Sequence, residues 1–134
     1  MNLDTFTRAK IAEFAIEEGS RYGGVNNMLA VAQTLRNRVF QGWGDWLEVA
    51  QTAPAKRGTI YPPDIPNIRT GNVRVFLNRL DELYTSEISE DLTGGALFYI
   101  DPAFSVEPWF KKEILGNPDD HPRTAHVGPV WFFK

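Results

Sequence analysis

The stretch FTRAKIAEFAIEE, residues 6–18, combines an apolar helical pattern with a carboxylate on its apolar side. At about 100° per residue, one arc of this helix carries Ile11, Phe14, Ala15 and Glu18. Glu17 falls on the opposite arc, together with Lys10 and Glu13. A carboxylate on an apolar face costs free energy unless it is paired or protonated, so burial would raise the pKa of Glu18. Glu18 is therefore a candidate general acid. The alternative is that the helix end is frayed and the Glu18 side chain points into water.

The composition fits one small domain over residues 1–134 and excludes several kinds of site. Hydrophobic residues make up 43% of the chain and aromatic residues 13%, which is enough for a core. There is no cysteine, so disulfides, cysteine nucleophiles and cysteine metal ligands are excluded. His121 and His126 are the only histidines, too few for a typical zinc site. We expect no metal and no other cofactor.

Charge and hydropathy limit the partners. The net charge of -3 and the pI of about 5.4 argue against nucleic acid, which calls for a clustered basic face. No apolar segment is long enough to span a bilayer, so no membrane insertion is expected. Residues 1–10 are polar, carry Asp4 and do not resemble a signal peptide. If the protein acts outside the cytoplasm, another route must deliver it, and the sequence leaves its localisation undetermined.

The hydrophobic pattern predicts an α+β fold that is mostly helical. The first helix, capped by Asp4 or Thr5, is followed by predicted helices over residues 26–40 and 43–51. Residues 52–70 are rich in proline and are predicted to form a long ordered loop. A fourth helix is predicted to begin at Thr70 or Asn72, with apolar residues at helical spacing: Val73, Phe76, Leu77, Leu80, Leu83 and Tyr84.

Two aromatic-rich segments predict strands. ALFYI, residues 96–100, follows two glycines and stops at Asp101 and Pro102, and residues 125–133 form a second strand interrupted at Gly128. A lone strand would leave its backbone unpaired, so the two are expected to pair antiparallel in a small hairpin or sheet. Residues 103–123 are predicted as a loop with a short helix. This pairing would carry Tyr99 to the edge of a cleft that holds Glu18.

Several of these segments, taken in order, resemble one protein family. They are AEFAIEE at 12–18, the pair Gly23-Gly24, LAVAQTLRNRV at 29–39, GGALFYIDP at 94–102, Trp109 and the final aromatic strand. Their order is similar to that in the SleB-type cell-wall hydrolases, the spore-cortex-lytic family. The resemblance covers most of residues 9–133, and it rests on the order and spacing of the motifs rather than on any single one.

The resemblance implies a lysozyme-like domain that cleaves bacterial peptidoglycan between N-acetylmuramic acid and N-acetylglucosamine. One glutamate then acts as general acid and afterwards as base. Aligning residues 12–18 with the family's helix end places this role on Glu18, with Glu17 as the fallback if the register is off by one. Hydrolysing glycosidases usually add a second carboxylate. No strong second candidate lies near Glu18 in the sequence, which favours a lytic transglycosylase, and Asp45 and Asp101 are the candidates if the enzyme is a muramidase.

The residues expected to bind substrate are Tyr99, Gln51, Trp109, Tyr61 and Tyr22. Tyr99 could bond a sugar hydroxyl or an N-acetyl group, or it could be a core residue with its hydroxyl at the rim. Trp109 could stack on a sugar ring or form a hydrophobic lid, and the two loop tyrosines leave the same alternatives open. Gln51 could bridge substrate and Glu18, or it could only cap its helix.

The sequence departs from the family pattern at four places. The segment after Glu18, residues 19–22, lacks the family's acidic residue; Thr52 follows Gln51 where the family usually has Phe; and Asp101 replaces an asparagine. Val130 stands about where the family has a histidine, with His126 upstream. These departures keep open a non-catalytic wall-binding or structural module.

A third hypothesis is an amidase that cuts the peptide stem, but the sequence lacks the zinc ligands or the Cys–His pair that an amidase would need.

If the protein is a peptidoglycan-cleaving glycosidase, its small size and the lack of a signal peptide suit a phage-encoded wall hydrolase. Such an enzyme would be released or virion-borne, and other virion or delivery proteins would carry it.

Overall fold

The computed structural model describes residues 3–22, 24–61, 70–84 and 91–134. The helices among them are α1 Thr5–Gly19, α2 Val25–Phe40, α3 Trp46–Thr52, α4 Thr70–Leu80 and α5 Pro108–Phe110. The last continues as a π-helical turn, Lys111–Leu115. Short 3₁₀ segments follow α1, α3 and α4 at Ser20–Tyr22, Ala53–Lys56 and Asp81–Tyr84. The predicted class, α+β and mostly helical, is confirmed. Within the described ranges, no helix is both long and apolar enough to cross a bilayer.

Side chains at the helix ends explain where α1 and α3 begin. Of the two predicted caps, Asp4 caps α1, because its Oδ1 accepts a hydrogen bond from the Thr7 backbone N–H at 2.7 Å. Asp45 does the same for α3, accepting from the Glu48 backbone N–H at 2.8 Å. This cap makes α3 begin at Trp46, three residues later than the hydrophobic pattern predicts.

The predicted pairing of the two aromatic segments is confirmed, with one correction. The three-stranded antiparallel sheet has the order β2-β5-β4, formed by β2 Phe98–Ile100, β4 Arg123–Val127 and β5 Val130–Phe133. β2 pairs with β5, placing Tyr99 opposite Phe132. The prediction of a single strand over 125–133 is wrong, because Gly128 adopts φ 55° and turns the chain into a hairpin.

A second, two-stranded sheet lies in segments predicted as loops. β1 Thr59–Ile60 pairs antiparallel with β3 Ser105–Val106. The rest of the predicted proline-rich loop, residues 62–69 with Pro62, Pro63 and Pro66, lies outside the described residues. Gly23 of the predicted glycine turn also lies outside them. The described part of the predicted loop, up to Tyr61, is not a plain loop, because it contains the 3₁₀ segment Ala53–Lys56 and the strand β1.

The three-stranded sheet separates two hydrophobic clusters. The larger one is formed by the helices and one face of the sheet, and it includes Ile11, Phe14, Leu35, Phe76, Tyr99 and Phe132. The smaller one joins the other face to α5 through Ile100, Phe110, Ile114 and Phe133. Successive strand residues point to opposite faces, so Tyr99 and its neighbour Phe98 lie on different sides of the sheet. On α4, Leu77 is 44% exposed, so it departs from the predicted apolar face.

Candidate active site

Glu18 lies near the end of α1, and its side chain is buried. The residue is 2% exposed, whereas Glu17 is exposed on the opposite side of the helix. The helical phase read from the sequence therefore selected the buried one of two adjacent glutamates, and this prediction is confirmed. A frayed helix end that turns Glu18 to water is excluded.

One oxygen of the Glu18 carboxyl is held by two neighbours. The Tyr99 hydroxyl donates to Oε1 at 2.9 Å. Arg57 Nε lies 3.0 Å from the same oxygen, although its N–H does not point at it, so this contact is an ion pair rather than a directed hydrogen bond. Among the described residues, no hydrogen bond reaches Oε2. The carboxyl is thus anchored through Oε1, which leaves Oε2 to exchange a proton with a ligand.

The surroundings of Glu18 raise its pKa above the usual value. Burial is the largest cause, because desolvation penalises the carboxylate. The positive charge of Arg57 and the hydrogen bond from Tyr99 act in the opposite direction, and they only partly offset the burial. A carboxyl with a raised pKa holds its proton closer to neutral pH, which is the property that a general acid needs.

Two residues of α2 hold the segment that carries Tyr99 to Glu18. Asn37 Nδ2 donates to the Ala96 carbonyl at 2.9 Å, and it also lies 3.0 Å from Asp91 Oδ2. Arg38 Nε donates to the Leu97 carbonyl at 2.9 Å. These contacts fix the chain immediately before β2. Both side chains therefore have a structural role, which is to position β2 through backbone carbonyl groups.

Glu18 opens on a crevice of about 200 Å³ that is nowhere wide enough to hold a water molecule. Its other walls are Gly19, Tyr22, Asn27, Val31, Tyr61, Tyr99, Val130 and Phe132. Three of the five residues expected to bind substrate therefore meet here. Pockets for small ligands usually occupy roughly 300–1,000 Å³, so a ligand of that kind would have to displace part of this wall to reach Glu18.

Asp101 anchors Tyr22, one of the tyrosines that form the wall of the crevice. The Tyr22 hydroxyl donates to Asp101 Oδ2 at 2.7 Å and lies 3.0 Å from the Tyr61 hydroxyl. Asp101 is 2% exposed, and its other oxygen accepts from the Ala103 backbone N–H at 2.9 Å. Burial is the largest of the causes that raise the pKa of Tyr22. The aspartate at the position of the family's asparagine is thus an acceptor for a crevice tyrosine, and it contacts Tyr22 rather than Glu18.

Arg57 is a site residue that the sequence reasoning missed. It lies between two glutamates, with Nε 3.0 Å from Glu18 Oε1 and Nη2 3.9 Å from Glu17 Oε1. A single arginine in a proline-rich segment carries no periodic signal, and its proximity to α1 depends on how the segment folds back. The sequence could only have identified it as one of the cations available to pair with a buried acid.

The structure places Gln51, Trp109 and Asp45 away from the Glu18 crevice. Gln51 is exposed and lines a different pocket beside Glu17. Trp109 lies in a groove on the other face of the sheet. Asp45 caps α3, so of the two candidate second carboxylates only Asp101 is connected to the crevice wall.

The chain matches no family model, no curated protein and no solved structure at a significant level. Within the described ranges, no three His, Asp or Glu side chains cluster in a way that could hold a metal ion.

Proposed function

We propose that this protein is a peptidoglycan-cleaving glycosidase, a lytic transglycosylase or a muramidase. Glu18 is its general acid and then its base, acting on the bond between N-acetylmuramic acid and N-acetylglucosamine. The observation that carries the proposal is the environment of Glu18, a glutamate 2% exposed at a crevice lined by three tyrosines. Burial raises its pKa, and one oxygen is fixed by Tyr99. The order of sequence motifs supplies the substrate class.

The proposed reaction uses the two oxygens of Glu18 differently. Oε2 gives its proton to the glycosidic oxygen, the bond from that oxygen to the muramic acid C1 breaks, and N-acetylglucosamine leaves with the proton. Glu18 is then a carboxylate, which Arg57 at 3.0 Å and the Tyr99 hydroxyl stabilise. In the transglycosylase route, the carboxylate removes the proton from the C6 hydroxyl, whose oxygen attacks C1 and closes a 1,6-anhydro ring.

The tyrosine wall suits a reaction that must exclude water. Tyr22 and Tyr61 line the crevice together with apolar side chains such as Val31 and Phe132, so a sugar that enters it would lie largely against apolar surface. Exclusion of water favours attack by the sugar's own hydroxyl over hydrolysis, because that nucleophile is already part of the substrate. The transglycosylase route is therefore the one that we favour.

A second candidate function is a non-catalytic wall-binding or structural module. The observation in its favour is that the crevice is closed to water in this structure. For either function the proposed partner is bacterial peptidoglycan, and delivery by a phage particle or by other carrier proteins is part of the proposal.

Zymography in gels that contain purified peptidoglycan tests the proposal. The wild-type protein should clear the gel, Glu18→Gln should not, and the matched control Glu17→Gln should clear it normally. Circular dichroism must show that all three proteins are folded. Clearing by Glu18→Gln would overturn the mechanism, and a folded wild type that clears nothing would favour the non-catalytic module.

A further inference from the structure

A second groove, wider than the Glu18 crevice, lies on the opposite side of the three-stranded sheet. Its walls are Trp43, Ala55, Lys56, Phe98, Trp109 and Glu113. The space in it that water-sized molecules can occupy is about 380 Å³, whereas the crevice has no such space. This volume is within the range of roughly 300–1,000 Å³ that is usual for small-ligand sites.

The groove is separate from the Glu18 crevice because neighbouring residues of β2 point to opposite faces. Tyr99 contacts Glu18 on one face, while Phe98 lines the groove on the other. Two neighbouring residues before β1 also belong to different sites, since Lys56 lines the groove and Arg57 contacts Glu18. A ligand in the groove would therefore not meet the carboxyl of Glu18.

Three aromatic rings form the apolar wall of the groove. The centroid of the Phe98 ring lies 5.4 Å from that of Trp43 and 6.5 Å from that of Trp109. The guanidinium of the buried Arg38 lies 5.0 Å from the Trp43 ring centroid, and the Phe110 ring lies 5.4 Å from that of Trp109. Both indoles therefore pack against other side chains of the protein, although Trp43 remains 36% exposed. Preorganised indoles at a surface offer flat apolar area at little entropic cost.

Charged side chains complete the groove without pairing with each other. Lys56 Nζ lies 5.6 Å from the Trp43 ring centroid, and Glu113 lines the same groove. Both residues are exposed, and no ion pair between them is found within the described ranges. The groove therefore offers an ammonium for a carboxylate of a ligand and a carboxylate for hydroxyl or amide donors, beside a wall that suits the C–H face of a pyranose ring.

We propose that this groove is a second, non-catalytic site that binds a peptidoglycan glycan strand. A pyranose ring stacks on Trp109 and Trp43, Lys56 pairs with a carboxylate of the attached peptide stem, and Glu113 accepts hydrogen bonds from sugar hydroxyls. The identity of the ligand rests on the proposed function, but binding in the groove does not require Glu18 to be catalytic. Such a site would keep the protein on the wall between cleavage events.

The test measures binding to insoluble peptidoglycan by sedimentation, with Glu18→Gln as the parent so that the substrate stays intact. Adding Trp109→Ala should weaken binding by about tenfold, since an aromatic contact contributes up to about 1.5 kcal/mol. The matched control is Trp131→Ala, which removes an indole that is 37% exposed outside the groove. Thermal melting must show that each variant is folded.

A second variant distinguishes contacts with the sugars from contacts with the peptide stem. Lys56→Glu should weaken binding to peptidoglycan with intact stems, and it should have little effect on glycan strands stripped of their stems by an amidase. Unchanged binding by both groove variants, or an equal loss with Trp131→Ala, would overturn the proposal. Its failure is distinct from that of the proposed function, because gel clearing by the wild type reports catalysis and sedimentation reports the groove.

Discussion

The Tyr99 hydroxyl donates a hydrogen bond to Glu18 Oε1 at 2.9 Å, joining the central residue of β2 to the end of α1. Both side chains are buried, at 5% and 2% exposure. Burial raises the pKa of Tyr99 well above 10, so its hydroxyl stays protonated and remains a donor in both protonation states of Glu18. The contact connects the sheet, the helical core and the proposed acid.

Tyr99→Phe removes this hydrogen bond from a buried carboxyl. We expect the free energy of unfolding to fall by about 1–3 kcal/mol, the range for hydrogen bonds to charged groups and for buried groups left unsatisfied. Urea denaturation measures the change. Tyr84→Phe is the matched control, because Tyr84 is 8% exposed and its hydroxyl has no partner in the described structure. It should cost much less, and equal losses in the two variants would contradict the role given to the Tyr99 contact.

Stability should depend on pH through Glu18. Its folded-state pKa lies above the ordinary value of 4.5, so the protonated form favours the folded state. This contribution is fully present below the unfolded-state pKa and is lost as pH rises through the folded-state pKa. Glu18→Gln carries a neutral side chain throughout. Its stability relative to the wild type should therefore increase between pH 4 and pH 8 in urea denaturation. A difference that is constant with pH would contradict the raised pKa.

Arg57→Gln should shift the pH profile of the proposed activity. Arg57 is the largest influence that lowers the pKa of Glu18, so its removal raises that pKa further. Because the reaction needs a protonated Glu18, the loss of activity at high pH should move to a higher pH. Initial rates of release from dye-labelled peptidoglycan across pH 4–9 measure the shift. Arg57→Lys retains the charge and should lie between the two, and a profile for Arg57→Gln that matches the wild type would contradict the assignment.

Mass spectrometry of digested peptidoglycan should find 1,6-anhydromuramic ends. We expect this product because the described crevice contains one carboxyl group, that of Glu18. Reducing muramic ends as the sole product would show hydrolysis instead. Asp101→Asn and Asp45→Asn would then separate the two candidates for the second carboxylate. Only Asp101 is bonded to a crevice residue, whereas an asparagine at position 45 can still cap α3, so Asp45→Asn should leave stability and activity nearly unchanged.

Residues on regular elements could be predicted from the sequence. Glu18 lies on a helix whose apolar positions repeat with a fixed period, so its phase alone determines whether it faces the core. Tyr99 could be placed because a short apolar strand needs a partner, and the chain offered only one. The burial of Glu18 follows from the first rule, and the pairing of the strand that carries Tyr99 follows from the second.

Residues whose positions depend on tertiary contacts could not be predicted in the same way. Arg57 contacts Glu18 because the chain before β1 brings it to the end of α1, and no periodicity marks that path. The position of Gln51 depends on how α3 packs against the other helices. The structure places it in the pocket beside Glu17 and not in the Glu18 crevice. The Gly128 turn depends on a positive φ, which a strand pattern does not reveal.

The packing of Gly19 determines which side of the crevice has to move. A Cβ at Gly19 would lie 2.5 Å from Met28 Cα, so the end of α1 is in direct backbone contact with α2. The backbone that carries Glu18 therefore cannot move outward without separating two core helices. A ligand that reaches Glu18 would therefore have to displace the hydrogen-bonded pair Tyr22 and Tyr61. The association rate should then be limited by how often these two side chains part, and it should lie below the rate of diffusional encounter.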